Sequence, residues 1–389
     1  MTKFDKDYLE LVKEILQKGE EVENRTGVNT VKLPSYSFKF NVGSEFPILE
    51  TKKTYYKNAL TEILWIWQVS SNDVRWLQER NNHIWDQWKI DDDGIYRIYE
   101  PDTKKEEYDK DKEVVVMDPF SASVDDPFGE LTPLLPKDNE QGKVMTAKSL
   151  IPGKNIKAAK YYGKEYANTI GTAYGYITGR YNMAERLINS IKNHPTDRRK
   201  VFSLWQDEFL RGAVLPSCVW STEWNVYKDT LNLQVHQRSC DIALGLPFNV
   251  TQYASLLKMI AQVTELEPGI VSYSINDPHI YVNHIDTIKE QVARGNRYNE
   301  LMKYSTSNLM MLSNCYKEKL KLLDKDSEEY KNINTELCII DMILNPEKPE
   351  LVLDPSIKNF FDFDNSKELK HIKVKNYKNM GPLKFPVVQ

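Results

Sequence analysis

Residues 215–249 read LPSCVWSTEWNVYKDTLNLQVHQRSCDIALGLPFN, and two periodicities meet in them. From Trp220 to Arg238 the chain splits into two β-rich runs around Lys228-Asp229. In the second run Leu231, Leu233 and Val235 alternate with Asn232, Gln234 and His236, the period of two expected of a strand with one buried face. The spacing predicts a hairpin. After Pro247-Phe248-Asn249, the residues Tyr253, Leu256, Leu257, Ile260 and Val263 recur at helical spacing, and Pro268-Gly269 is expected to stop the run. A helix packed on the sheet follows the hairpin.

Working outward, Tyr8, Leu9, Leu11, Val12, Ile15 and Leu16 predict a surface helix from about Asp5 to Lys18, ended by Gly19. Thr30 to Phe40 turns to β-branched and aromatic residues, and Asn58 to Trp67 returns to apolar helical content. Two stretches look like insertions. Residues 98–164 hold EPDTKKEEYDKDKE and a Pro/Gly/Asp/Lys-rich run, which predicts exposed loops with one short strand at Val114–Met117. Residues 295–349 hold helical stretches at Leu301–Met311 and Tyr316–Leu323 and the charged run KEKLKLLDKDSEEYKN, read as solvated elaboration.

Composition narrows the function. With 389 residues, 41% hydrophobic, the chain can bury a substantial core. A net charge of −4 offers no basic field for a nucleic-acid polymer, although local arginines suit small anions. No stretch of 18 uninterrupted apolar residues and no apolar leader are present, so a soluble, cytoplasmic protein without membrane contact is expected. The four cysteines Cys218, Cys240, Cys315 and Cys338 form no CxxC pair and no metal-ligand cluster; reduced thiols and no metal are expected.

Cys218 stands immediately before the predicted hairpin. A cysteine near a strand start is ordinarily buried and inert, but these surroundings differ. Arg198-Arg199 lie upstream, and Arg238, Ser239, Asp241 and Asn249 lie downstream. Arginines stabilise a thiolate and grip phosphate by paired hydrogen bonds, while an asparagine amide offers both a donor and an acceptor to a pyrimidine edge. A nucleophile, an anion site and a base reader are available together.

LPSCVW, QRSCDIALGLPFN, DPHIYVNH, ENRTG, ETKK, IWDQW and the terminal PLKFPVVQ, in this order and relation, resemble the thymidylate synthases and the related pyrimidine nucleotide hydroxymethylases. The resemblance covers most of the chain outside the two insertions. It implies an α+β fold, a large mixed sheet flanked by helices, in a single catalytic domain spanning 1–389. It also implies a folate-dependent enzyme acting on dUMP with 5,10-methylenetetrahydrofolate as co-substrate. By position, Cys218 would add to ring carbon 6, Glu62 would organise water and proton transfers, Tyr174 would support proton abstraction from carbon 5, and Asn249 would read uracil. Arg25, Gln237, Arg238 and Ser239 of one chain and Arg198 and Arg199 of a second would bind the nucleotide, which implies a homodimer. His279 and Tyr281 would meet the sugar 3′-hydroxyl. The folate would lie over Trp85 and Trp88, with Lys52, Asp241 and Val388 nearby and the C-terminal residues up to Gln389 closing over it.

Two departures bear on the product. Val219 stands where the synthases carry histidine after the nucleophile, and Tyr176-Ile177-Thr178 replace the expected QWR after Tyr174-Gly175. His236, in place of a usual tyrosine, is a candidate for the missing histidine's role. These changes point to water adding to the methylene intermediate, giving 5-hydroxymethyl-dUMP as in viral members, with an insertion-bearing synthase making dTMP as the rival. A catalytically silent nucleotide- or partner-binding paralogue is a third reading, opposed by the retained Cys218, Glu62 and Asn249.

Overall fold

A computed structural model describes residues 1–100, 104–135 and 143–388. The chain opens with α1 (Lys3–Lys18), β1 (Glu20–Val22), β2 (Thr30–Lys32), β3 (Ser35–Asn41) and α2 (Tyr56–Trp67), followed by α3 (Val74–Gln78). The β-rich run from Thr30 breaks at Pro34, which lacks an N–H and restricts Leu33, so β2 and β3 enter different sheets. Next come β4 (Ile95–Tyr99), β5 (Glu113–Asp118), β6 (Thr132–Pro133), β7 (Thr146–Lys148) and β8 (Ile156–Tyr161), then α4 (Gly175–Arg180) and α5 (Met183–Asn193). The remainder runs β9 (Val201–Ser203), β10 (Val219–Tyr227), β11 (Thr230–Gln237), β12 (Cys240–Asp241), α6 (Gly245–Val263), β13 (Glu267–Asn276), β14 (Pro278–Tyr281), α7 (Ile285–Leu301), α8 (Thr306–Leu320), α9 (Glu328–Leu344), β15 (Glu350–Leu353) and β16 (Ile372–Lys375).

The predicted hairpin is the heart of a five-stranded sheet ordered β3-β13-β11-β10-β9. Its β11–β13 pair is parallel and the rest antiparallel, so the sheet is mixed. Leu231, Leu233 and Val235 face inward with Val271, Tyr273 and Ile275 of β13, and α6 packs over them. Burying each such aliphatic side chain contributes about 1.5–3 kcal/mol. Helix α6 ends at Thr264 and Glu265, the latter at φ 59°, and Pro268-Gly269 belong to β13 rather than ending the helix. Helix α2 lies on α6, and α1 covers β3 through Phe4 against Phe38 and Phe40, at ring separations of 6.1 and 5.3 Å.

Both insertions depart from expectation. The region expected as loops holds, besides the strand at β5, the antiparallel partners β4–β8 and β5–β7 with a core of Ile95, Val116, Ala147, Ile156 and Ala159. Its strands are two to six residues long with polar outer positions, too short to show a period of two in a charged sequence. In the second region the expected helix Leu301–Met311 is two helices. Helix α7 runs on to Leu301, and Ser305 restarts the chain by accepting the Asn308 N–H, capping α8. Ser327 caps α9 in the same way, and Tyr298, Leu301, Leu309, Ile339 and Ile340 form a core with Met380.

Candidate active site

The strand–turn–helix passage that decides the fold also builds the site. Cys218 sits at the mouth of β10, half-buried, and its neighbour in the hairpin register, Arg238, leaves the end of β11. The Arg238 guanidinium donates to the carbonyl oxygens of Pro216 and Ser217 at 2.7 and 3.2 Å and comes within 3.9 Å of the Cys218 sulfur. From the other side, the Tyr174 hydroxyl accepts the Cys218 amide N–H at 2.8 Å. Burial, reinforced by Cys218, holds the Tyr174 phenol far above its ordinary pKa, so it stays protonated. Tyr174 is held at φ 46°, a strained backbone for a non-glycine residue. The next residue must be glycine: a Cβ on Gly175 would lie 1.8 Å from the Ser71 carbonyl oxygen.

Behind the thiol runs a chain of buried polar groups. Tyr273 donates to Gln237 at 2.5 Å, Gln237 donates to Asn249 at 3.3 Å, and Asn249 donates to Gln252 at 3.1 Å. Gln252 in turn donates to one Glu62 oxygen, while the Trp85 indole donates to the other at 2.8 Å. Asn249 and Gln252 lie three residues apart on one face of α6, which is why both reach the same cavity. Burial pushes the Glu62 carboxyl up to about 7, opposed by the hydrogen bonds from Trp85 and Gln252. A carboxyl that titrates at neutral pH suits both donation and acceptance of protons. Sequence reasoning missed Gln252 and Tyr273; Gln252, a polar residue within an apolar helical stripe, was the available signal.

Trp85 also walls the site, edge-on to Tyr174 at 5.4 Å and to Trp88 at 5.5 Å. Asp241 ties down the turn before α6 by accepting the N–H groups of Ala243 and Leu244 at 2.8 and 3.2 Å. Lys52 donates to the Ala243 carbonyl and lies 4.7 Å from the Phe385 ring; burial lowers its pKa to about 8, opposed by Asp241. His279 and Tyr281 meet edge to face at 5.2 Å on β14, which pairs in parallel with β12 beside Asp241. His284, also missed, fastens the C-terminal segment: its Nε2 donates to the Pro386 carbonyl at 2.7 Å, and its ring packs on Phe385 at 5.3 Å. Val388 is half-buried at the end of this segment, and Gln389 lies outside the described residues. Its neighbour Val387 lines a cleft of about 380 Å³ with Asp86, Lys89, Arg97, Lys154 and Lys157.

Not every expected residue converges here. Arg25 is exposed on the loop before β2 and lies near enough to Tyr281 to lower its pKa, against the larger effect of burial and that of Asp241. The Ser239 carbonyl accepts from Gln237 at 2.9 Å. Arg198 and Arg199 are exposed, and Arg199 pairs with Asp197 at 2.9 Å. The next residue, Lys200, accepts the N–H of Trp224, well along β10 from Cys218, through its carbonyl at 2.9 Å. Six strand residues at ~3.4 Å each separate the two places by roughly 20 Å. His236 is not a substitute for histidine beside the thiol. It occupies the opposite face of β11 from Gln237, where it meets Glu223 at 3.1 Å and Trp220 at 5.5 Å. Val219 is buried.

A thiol held beside a guanidinium, a buried carboxyl titrating near neutrality and an aromatic wall form an arrangement suited to nucleophilic addition to a planar substrate. The family model described as thymidylate synthase matches residues 6–339. Thymidylate synthase of Clostridium beijerinckii is 34% identical over 296 residues, covering 76% of this chain and 84% of the relative. That of Bacillus phage phi3T is 33% identical over 313 residues, covering 76% and 85%. Among solved structures, the thermostable thymidylate synthase A from Bacillus subtilis superimposes with a TM-score of 0.62 at 28% identity, covering 100% of both chains. The chain belongs to the thymidylate synthase family, a family of transferases whose one-carbon donor is 5,10-methylenetetrahydrofolate.

Proposed function

We propose that the chain methylates dUMP to dTMP, with 5,10-methylenetetrahydrofolate leaving as dihydrofolate. In this reading Cys218 adds to ring carbon 6, and carbon 5 bonds to the folate methylene and loses its proton; the bond from that methylene to the folate nitrogen then breaks, releasing tetrahydrofolate, whose hydride reduces the exocyclic methylene to methyl as the thiolate departs and dihydrofolate forms. Asn249, fixed by Gln237 and Gln252, reads the uracil edge, and Arg238, Ser239 and Arg25 bind the phosphate. His279 and Tyr281 meet the 3′-hydroxyl. The folate ring stacks on Trp85 and Trp88 with Lys52, Asp241 and Val388 around it, and Lys89, Lys154 and Lys157 give its anionic tail a cationic wall.

The observation that carries the dTMP reading is the enclosure of Glu62. Trp85, 7% exposed, seals the carboxyl from one side, and the His284–Pro386 bond draws the C-terminal segment toward the site. Hydride transfer needs such a dry, packed site. The hydroxymethyl reading draws support from Val219, where histidine is replaced by an apolar side chain, but the polar face of β11 carrying His236 points elsewhere. Purified protein with dUMP and the folate decides between them. The expected result is a product of dTMP mass, with near-ultraviolet absorbance rising as dihydrofolate accumulates one for one. A product heavier than dTMP by one oxygen, without dihydrofolate, would establish hydroxymethylation instead.

We also propose a homodimer in which Arg198 and Arg199 complete the partner's phosphate site. The ~20 Å along β10 between their neighbour Lys200 and Cys218 within one chain supports this, since a guanidinium reaches only a few ångströms beyond its backbone. Mixing inactive Cys218→Ala chains with inactive Arg199→Ala chains is expected to restore about a quarter of wild-type activity, because half the dimers are hybrid and each hybrid has one intact site. Activity from a monomer, or no recovery on mixing, would reject the shared site.

A further inference from the structure

The Arg238 guanidinium, which touches the nucleophile's own backbone, has an aromatic floor. The Trp205 ring centroid lies 5.4 Å from the Arg238 guanidinium carbon, on the segment that follows β9. A cation over an indole is the strongest arrangement of its kind in proteins, and it fixes the plane of the guanidinium as well as its position. That plane aims Nε at Ser217 and Nη2 at Pro216, leaving Nη2 3.9 Å from the thiol. The Trp205 ring has a further neighbour: Phe128, of the 98–164 segment, lies against it at 6.4 Å with the planes tilted by 56°. The same segment is tied down once more where Arg211, in the turn leading to Cys218, donates to the carbonyls of Phe120 and Ala122 at 3.3 and 2.9 Å. Phe128 is 60% exposed, so its ring contributes little to the core while touching a residue that supports the site.

We infer that Trp205 is a positioning residue for Arg238, and that the 98–164 segment, through Phe128, holds Trp205 in place and so tunes the reactivity of Cys218. Phosphate binding by Arg238 rests on the proposed function; the thiol's reactivity does not. The test is therefore the alkylation rate of Cys218 by iodoacetamide at neutral pH, followed on the Cys218 peptide by mass spectrometry so that Cys240, Cys315 and Cys338 do not contribute. Trp205→Leu is expected to slow alkylation roughly three- to tenfold, the range that an ordinary cation–π contact commands. It is also expected to raise KM for dUMP. Trp205→Phe, which keeps a ring beneath the guanidinium, should recover most of both losses. Phe128→Ala should shift both in the same direction by a smaller factor, with an unchanged melting temperature. Wild-type alkylation and KM in Trp205→Leu would overturn the positioning role, as would equal losses in Trp205→Leu and Trp205→Phe. Wild-type values in Phe128→Ala would overturn the link to the inserted segment.

Discussion

Replacing Cys218 by serine is expected to remove turnover, by roughly four orders of magnitude or more, while dUMP still binds within a few-fold of wild type. The size follows from the place of the thiol in the sequence of steps: without addition at ring carbon 6, carbon 5 is never made nucleophilic, and removing a nucleophile from other enzymes costs about 10⁶ in kcat. Retained binding follows from the separation of tasks. Arg238 is anchored by the carbonyls of Pro216 and Ser217, and Asn249 by Gln237 and Gln252, none of which depends on sulfur. A serine hydroxyl also leaves the Cys218 backbone N–H free to donate to Tyr174 as before. Two measurements check this. Calorimetric titration with dUMP reads binding, and mass spectrometry of the wild type with 5-fluoro-dUMP and the folate should find a covalent ternary adduct on Cys218. An adduct on Cys240 or any other residue, or a serine variant with more than a trace of activity, would reject the assignment.

For Glu62→Gln the expected loss in kcat is about 10²–10⁴, the usual contribution of a positioned acid or base. The wild-type profile supplies the sharper test. In its proposed role Glu62 accepts a proton, which only the ionised carboxylate can do, so activity should rise as pH climbs through about 7 and then level off, with Trp85 and Gln252 donating to that carboxylate. Glutamine at this position should flatten that limb. Stability should move the opposite way. The folded-state pKa is raised from the ordinary glutamate value of 4.5 to about 7 by burial, so the folded protein holds this proton when the unfolded chain has already released it. The contribution is fully present below about pH 4.5 and is lost as pH rises toward and through about 7, because ionised Glu62 is disfavoured in its buried place. Melting temperatures of wild type relative to Glu62→Gln should therefore decline across that window. A kcat profile unchanged by the substitution, or a melting difference independent of pH, would rule out a buried carboxyl titrating near neutrality.

The local elements of the central region were legible because each has a strong period over a sufficient length. The alternation Leu231, Leu233, Val235 became β11 with those residues inward, and the stripe from Tyr253 to Val263 became the buried face of α6. The inserted regions were less so. Strands of two to six residues leave too few positions for an alternation to stand out, and the sheet around Val116 and Ala159 is held by pairings between residues 95–99 and 156–161 that no local pattern announces. Serines at 305 and 327 are N-caps by virtue of the helices that follow, and the charged composition around them hid the break between α7 and α8 and the whole of α9.

What the amino-acid sequence determined by itself is the family, together with a candidate nucleophile and candidate polar partners for it, because covalent chemistry and hydrogen-bond capacity belong to residue types in a given order. What only the tertiary structure decided is which of those groups meet. Side chains alternate across a strand, so one step along β11 turns Gln237 into the polar chain that ends at Glu62 and sends His236 to the far face with Glu223. The same geometry leaves Arg199 next to a residue that meets β10 six positions beyond Cys218, and brings Gln252, Tyr273, His284 and Trp205 beside the site from positions where their neighbours in sequence say nothing of it. Burial then sets the chemistry: enclosure among elements far apart in the chain pushes an ordinary glutamate up to about 7, against the hydrogen bonds that Trp85 and Gln252 donate to it.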